Sequence, residues 1–329
     1  MNGTSRTRGA RGSMENRRAR SVRRARLLAA GALVSALAAG ALPAAATAAP
    51  APAAARHPHG VHAVAETIRQ IPLQGAVNVR DLGGYWTYTG GQVRTGLVYR
   101  ADALGKLTPA DVDTLAGLRL TKAVDFRIPL EVQYDGADRL PAGLATTSRP
   151  VSDLGLYGML LTAIGSGDPV KQEQMLGGGR AEAFMRDVYR TFVTDPADRA
   201  QFAATLRDVA DGAQGPLLYH CTSGKDRTGW LSYVLLRALG VPVSSAERDY
   251  LASNTFRAAY DARVRDGLRQ SGRMQNPDLL IPLQEVRQDY LDAATSRMEA
   301  DYGSFYGYLT RGLGLDVPTL TRLQSKLVR

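Results

Sequence analysis

From about residue 71 onward the apolar positions come in short runs divided by Gly, Pro and polar breaks, and the period of each run predicts an element. Residues 85–98 alternate around Thr89-Gly90-Gly91, the pattern of a β-hairpin. Thr108-Pro109-Ala110-Asp111 is a helix start, with Val112, Leu115 and Leu118 on one face. Residues 122–126 read as a strand with Asp125 and Arg127 at its exit, and residues 144–151 read as another that ends at Asp153. Two helices follow over residues 181–193 and 197–210, separated by Asp195-Pro196. Leu217-Leu218-Tyr219 is a buried strand that runs into a short polar loop. Beyond it Trp230, Leu231, Val234, Leu235, Leu236 and Leu239 form the apolar side of a helix that Gly240 stops. Ser244-Ser245-Ala246-Glu247 supports a capped helix reaching Tyr250 and Leu251, and the rest, to Leu327, reads as helices without internal repeat. The expected fold is α/β: a central, mostly parallel sheet flanked by helices, with a helical C-terminal region and polar residues where strands end.

Residues 154–179 are harder to place. Leu156, Tyr157, Met159, Leu160, Leu161 and Ile164 make an apolar patch, broken by Gly165-Ser166-Gly167-Asp168-Pro169 and ended by three glycines. An ordinary surface helix and loop, and a mobile lid over a site, both fit this pattern.

Composition changes the picture mainly at the N-terminus. The formal charge is +10, but residues 1–26 hold nine Arg and one Glu, so +8 resides there and +2 in everything after. That excludes a general polyanion-binding surface, and with it nucleic acid as partner, and leaves a local basic site. The Arg-rich flank precedes an uncharged apolar run over residues 27–42, and Ala46-Thr47-Ala48 is a small-x-small cleavage site. Residues 1–48 therefore read as a signal peptide and residues 49–70 as a Pro/Ala-rich linker. A domain over residues 71–329 is then expected outside the cytoplasm, with no stable membrane span in the mature chain. Met14 is an alternative start, and Arg23-Arg24 leaves Sec and twin-arginine export both open. His57, His59 and His62 lie close in the linker, but no carboxylate or cysteine completes a metal set. Cys221 is the only cysteine, so no intrachain disulfide can form and the fold relies on its core.

That cysteine sits in His220-Cys221-Thr222-Ser223-Gly224-Lys225-Asp226-Arg227-Thr228-Gly229, between the buried strand and the helix. A tight loop leading into a helix N-terminus is an anion site, since unpaired backbone N–H groups and the positive end of the helix dipole face inward. The spacing lets Arg227 close the rim over a thiol at the floor, and a guanidinium binds a phosphate through paired bonds. Such a field favours the thiolate form of a cysteine, which is the nucleophilic one. A nucleotide P-loop is excluded because Asp226 follows Lys225 where Ser or Thr is needed. A sulfur-transfer loop does not demand Gly-Lys-Asp-Arg-Thr-Gly. An inactive phospho-ligand binder on the same fold is the remaining rival.

The segment resembles the signature of the bacterial tyrosine phosphatase family related to secreted protein tyrosine phosphatase B, whose loop also resembles those of dual-specificity and phosphoinositide phosphatases. Asn78-Val79-Arg80-Asp81-Leu82-Gly83-Gly84, Tyr99-Arg100, Ala123-Val124-Asp125-Phe126-Arg127, Asp249-Tyr250-Leu251-Ala252-Ser253-Asn254 and Tyr302-Gly303-Ser304 resemble further blocks in the expected order. The resemblance implies a phosphatase fold, a phosphorylated protein or phosphoinositide as substrate, and a lid over residues 154–179. Cys221 is the expected nucleophile. Arg227 and the backbone of Thr222, Ser223, Gly224 and Lys225 are the expected phosphate cradle, with Thr228 a candidate donor to the sulfur. His220 is expected to stiffen the loop, and Asp125 to pair with Lys225 or Arg227. Two general acids remain open: Asp226, which resembles the acid of that family, and Asp153, at a strand end upstream as in many tyrosine phosphatases. Lys225 brings phosphoinositides within range. No metal or organic cofactor is required, and the oligomeric state is not legible.

Overall fold

The computed structural model describes residues 68–211 and 215–329. The expected signal peptide and the three linker histidines lie outside the described residues. Arg69–Gln70, within the stretch read as linker, forms strand β1.

Six strands make one sheet in the order β1-β2-β3-β6-β4-β5. Strands β3 (Val98–Ala101), β6 (Leu217–His220), β4 (Lys122–Asp125) and β5 (Thr146–Ser148) pair parallel, while β1 and β2 (Arg80–Asp81) add an antiparallel edge. The apolar run Leu217-Leu218-Tyr219 is buried on both faces, as an interior parallel strand requires. Leu217 and Tyr219 join the large core cluster, and Leu218 joins the smaller one on the other face with Tyr99, Ala101 and Leu115. In register, His220 lies opposite both Ala101 and Asp125, so the loop after β6 emerges between the exits of its neighbours. That sheet edge is where an α/β fold builds its sites.

The helices are α1 (Pro109–Gly117), α2 (Pro129–Asp135), α3 (Leu156–Ser166), α4 (Pro169–Leu176), α5 (Arg180–Thr194) and α6 (Pro196–Ala210). After β6 come α7 (Arg227–Ala238), α8 (Val243–Gln270), α9 (Ile281–Gln284), α10 (Gln288–Tyr302), α11 (Phe305–Gly307) and α12 (Val317–Leu327). Thr108 caps α1 in a capping box with Asp111, as the sequence pattern implies.

Several expectations need correction. The capped helix at Ser244 starts earlier, at Val243 after Pro242, without a side-chain cap, and it runs on to Gln270 because no proline interrupts it. The strand expected over residues 144–151 shrinks to Thr146–Ser148; Gly143 (φ +84°) turns the chain before it, and Pro150 lacks a ladder donor after it. The hairpin over residues 85–98 turns as expected, but its arms pair only briefly, through the Trp86–Gln92 bridge and bonds from Val93 N to Tyr85 O (2.8 Å) and Thr87 N to Gly91 O (2.8 Å), and Val93 also bridges to Val328. Strand β2 was invisible to pattern reading because its two buried residues are both charged.

Residues 154–179 hold the two helices α3 and α4. Ala163, Ile164 and Leu176 are in the main core, and the Gln172 amide donates to Ala163 O (3.1 Å) and Arg273 O (2.8 Å).

One buried charge cluster ties the sheet to α8. Asp249 accepts from Arg80 Nε (2.9 Å), Arg100 Nη1 (2.6 Å) and the Tyr85 hydroxyl (3.0 Å). Burial opposes the charge on Asp249, but the two guanidiniums outweigh it and hold its carboxyl below the usual range.

Candidate active site

Cys221 leaves the end of β6 and is buried at 1 % exposure. The residues after it bend tightly until α7 begins at Arg227. Loop carbonyls turn outward to donors from elsewhere in the fold. Thr222 O accepts from Ala103 N (3.1 Å) and Ser223 O from Asn78 Nδ2 (3.0 Å) and Arg257 Nη1 (3.3 Å). Gly224 O accepts from Arg100 Nη2 (2.7 Å). Among the described residues, the N–H groups of residues 222–227 donate to no protein acceptor, so they remain for an anion at the helix N-terminus. Gly224 is obligatory: its φ is +63°, and a Cβ there would sit 2.5 Å from Ala101 O.

Arg227 is gripped from outside the motif. Its Nη1 donates to Glu131 Oε2 (2.7 Å), Phe126 O (3.2 Å) and Val151 O (3.3 Å), and its Nη2 donates to Glu131 Oε1. The Thr222 hydroxyl donates to the same Oε1 (2.6 Å), and Ile128 N donates to Oε2 (2.8 Å). Burial opposes the charge on Glu131, but Arg227, Thr222 and Ile128 N together hold its carboxyl below the usual range. Burial likewise opposes the guanidinium, and Glu131 overrides it, keeping Arg227 charged. Glu131 was not found by sequence reading. Ile128-Pro129-Leu130-Glu131 signals a helix start, and nothing in it announces a partner for a residue almost a hundred positions later.

The two candidate acids differ in their surroundings. Asp226 Oδ1 accepts from the Tyr189 hydroxyl (3.0 Å), and Lys225 Nζ reaches both its oxygens (2.9 and 2.8 Å). Lys225 also donates to Glu285 O (3.2 Å). Asp153 accepts from Gly155 N (2.9 Å) and Tyr157 N (2.8 Å), one N–H for each oxygen, which commits it to starting α3. Both line a cavity of about 780 Å³ together with Glu131, Thr222, Ser223, Lys225 and Arg227. Cys221 itself is buried and is not among the residues lining the cavity.

Two expected roles are not borne out by the contacts. Asp125 pairs with Arg127 (both oxygens at 3.0 Å from Nε) rather than with Lys225 or Arg227, because it lies behind the loop at the end of β4. The Thr228 hydroxyl is buried without a hydrogen-bond partner and makes no bond to the sulfur. His220 does lie in a fixed network: Nε2 faces Asp138 Oδ2 (3.0 Å) and Nδ1 faces Cys221 O (3.4 Å). Asp125, Asp138 and His220 bring ligand atoms within 4.8 Å of one another, but Arg127 bonds both carboxylates and fills the place a cation would take.

Asp198, on α6, was also missed. Its Oδ1 accepts from Ser152 N (2.8 Å), next to Asp153, while its Oδ2 is buried without a partner. Burial raises its carboxyl to about 6, with Ser152 N and Arg227 pulling the other way. A raised carboxyl stabilises the fold in its neutral form, so this contribution is complete below about pH 4 and fades as pH rises through about 6. Asp198→Asn is expected to flatten that part of the stability profile, by on the order of 2 kcal/mol. Thermal unfolding of both proteins from pH 4 to pH 8 tests it; parallel profiles refute the assignment.

The tyrosine phosphatase family profile matches residues 71–329. The chain belongs to the tyrosine phosphatase family. It is 34 % identical over 244 residues to a protein named as a tyrosine-protein phosphatase in Cupriavidus necator, covering 74 % of this chain and 84 % of that one. It is 29 % identical over 276 residues to the triple specificity protein phosphatase PtpB of Mycobacterium tuberculosis, covering 76 % and 99 %. A tyrosine-protein phosphatase of Nostoc commune is 26 % identical over 237 residues, covering 69 % and 73 %. The chain is thus a phosphatase of the protein-tyrosine type, and its substrate carries a phosphate.

Proposed function

We propose that this phosphatase acts outside the cytoplasm on phosphotyrosine-type monoesters through a cysteinyl-phosphate. The observation that carries the reading is the loop itself: outward carbonyls, uncommitted N–H groups and an Arg227 held by Glu131, all built around Cys221. The Cys221 thiolate attacks phosphorus, the P–O ester bond breaks, and Asp226 gives its proton to the leaving oxygen. Water then attacks phosphorus, the P–S bond breaks to release inorganic phosphate and the thiolate, and the water proton returns to Asp226. Arg227 and the loop N–H groups hold the equatorial oxygens throughout, where the transition-state charge is spread. The Arg-rich flank and apolar run support export, and recovery of the chain only inside the cytoplasm would refute that part.

Asp226 is favoured over Asp153 because Asp153 is committed to two backbone N–H groups, whereas Asp226 is held only by side chains that can rearrange. Asp226→Asn is expected to slow an alkyl phosphate about 10² to 10⁴-fold and an activated aryl phosphate much less, since only the poor leaving group needs the proton. The same pattern in Asp153→Asn alone reverses the assignment.

A second reading is supported by Lys225. Its ammonium reaches the wall of the cavity beside the loop, where a phosphoinositide ring could draw on it. Catalytic efficiencies on phosphotyrosine, phosphoserine and phosphoinositide substrates decide between the two.

A further inference from the structure

The cavity extends well beyond the space of one phosphate, and its far part has a chemistry of its own. Helix α3 begins just after Asp153 and sends Leu156, Tyr157, Leu160, Leu161 and Ile164 to the cavity. This spacing is one continuous helical stripe, about 12 Å long at 1.5 Å per residue. Val264 on α8, Leu280 and Leu283 add further apolar surface to the same space.

Of the cations in this part, Arg263 is exposed, and the two more buried ones face carboxylates. Arg257 is spent on Asp261 (2.6 Å), Asp102 (3.7 Å) and Ser223 O, contacts that brace the loop. Lys106 faces the carboxylates of Asp135 and Asp102, and burial lowers its affinity for a proton. A chamber with one anion cradle at its end and an apolar stripe leading away fits an amphiphile with a single phosphate head.

Resting on the monoester-hydrolase reading above, we propose that the site also takes monoesters that bear their phosphate directly on a long, single apolar chain. The head sits in the loop at residues 221–227 and the chain lies along Leu156, Leu160 and Ile164. Hydrolysis breaks the P–O bond to the chain, and Asp226 protonates the departing alkoxide to give a long-chain alcohol. The wall contacts are the same before and during the reaction, so chain length acts through KM more than through kcat.

The test is a series of unbranched monoalkyl phosphates, ethyl to decyl, assayed below their micelle-forming concentrations. p-Nitrophenyl phosphate and a phosphotyrosyl peptide are measured on the same preparation. kcat/KM is expected to climb about two- to fourfold per methylene, levelling off once the chain outruns the stripe. Leu160→Asn is expected to shrink the decyl-to-ethyl ratio several-fold. A flat series with p-nitrophenyl phosphate still turned over overturns this inference and leaves the hydrolase reading intact. Failure to hydrolyse any monoester brings down both.

Discussion

Cys221→Ser is expected to lower kcat at least about a thousandfold while the protein still binds vanadate or phosphate. The variant exchanges one atom, sulfur for oxygen, in a loop whose anion-holding parts are all elsewhere. Arg227 stays paired with Glu131, the carbonyls of Ser223 and Gly224 stay turned outward by Arg257 and Arg100, and the N–H groups keep their direction. A serine hydroxyl at that position is a far poorer nucleophile near neutral pH than a thiolate. Steady-state rates on p-nitrophenyl phosphate and calorimetric titration with phosphate separate chemistry from binding. Residual activity above a few per cent would remove the cysteinyl-phosphate from the mechanism.

Glu131→Ala is expected to damage the fold and the reaction together. It strips a buried guanidinium of the carboxylate that meets both its terminal nitrogens and leaves the charge without its counter-ion. Loss of one partner of such a pair costs about 3 to 5 kcal/mol. The freed Arg227 also loses the orientation that points it at phosphate oxygens, for an expected loss of about 10²-fold in kcat/KM. Urea unfolding and kinetics on one preparation read both effects, and Glu131→Gln, which keeps hydrogen bonding without charge, is expected to fall between. If Glu131→Ala matches the parent in stability and kcat/KM, Arg227 is held by Phe126 O and Val151 O alone, and Glu131 has no part in the site.

Sequence legibility followed the range over which each signal acts. The motif from His220 to Gly229 declares its own chemistry because strand, loop and helix start are contiguous. Helices α1, α5, α6 and α7 were readable for the same reason, each carrying its period within a dozen or so residues. What stayed hidden is what the fold brings from far away. Glu131 reaches Arg227, Tyr189 reaches Asp226, and Asp249 gathers Arg80 and Arg100. None of these pairs has a local signature, since a buried charge looks like a surface charge until its partner is known. Asp125 shows the converse. Its place at a strand exit suggested a partner in the loop, yet Arg127, two residues away, claims it first.

The outward carbonyls of the catalytic loop also bear on the order in which the chain is made. Ser223 O and Gly224 O are fastened by Asn78, Arg100 and Arg257, and Asp249 fixes Arg100 in turn. Two of those anchors precede the loop and two follow it. A polypeptide emerging from a ribosome therefore presents Cys221 before it has the means to shape the loop around it. Only when the segment through Arg257 has emerged and docked does the anion cradle exist. The thiol thus passes its most vulnerable interval without the neighbours that would sharpen its reactivity, and competence arrives in one late step.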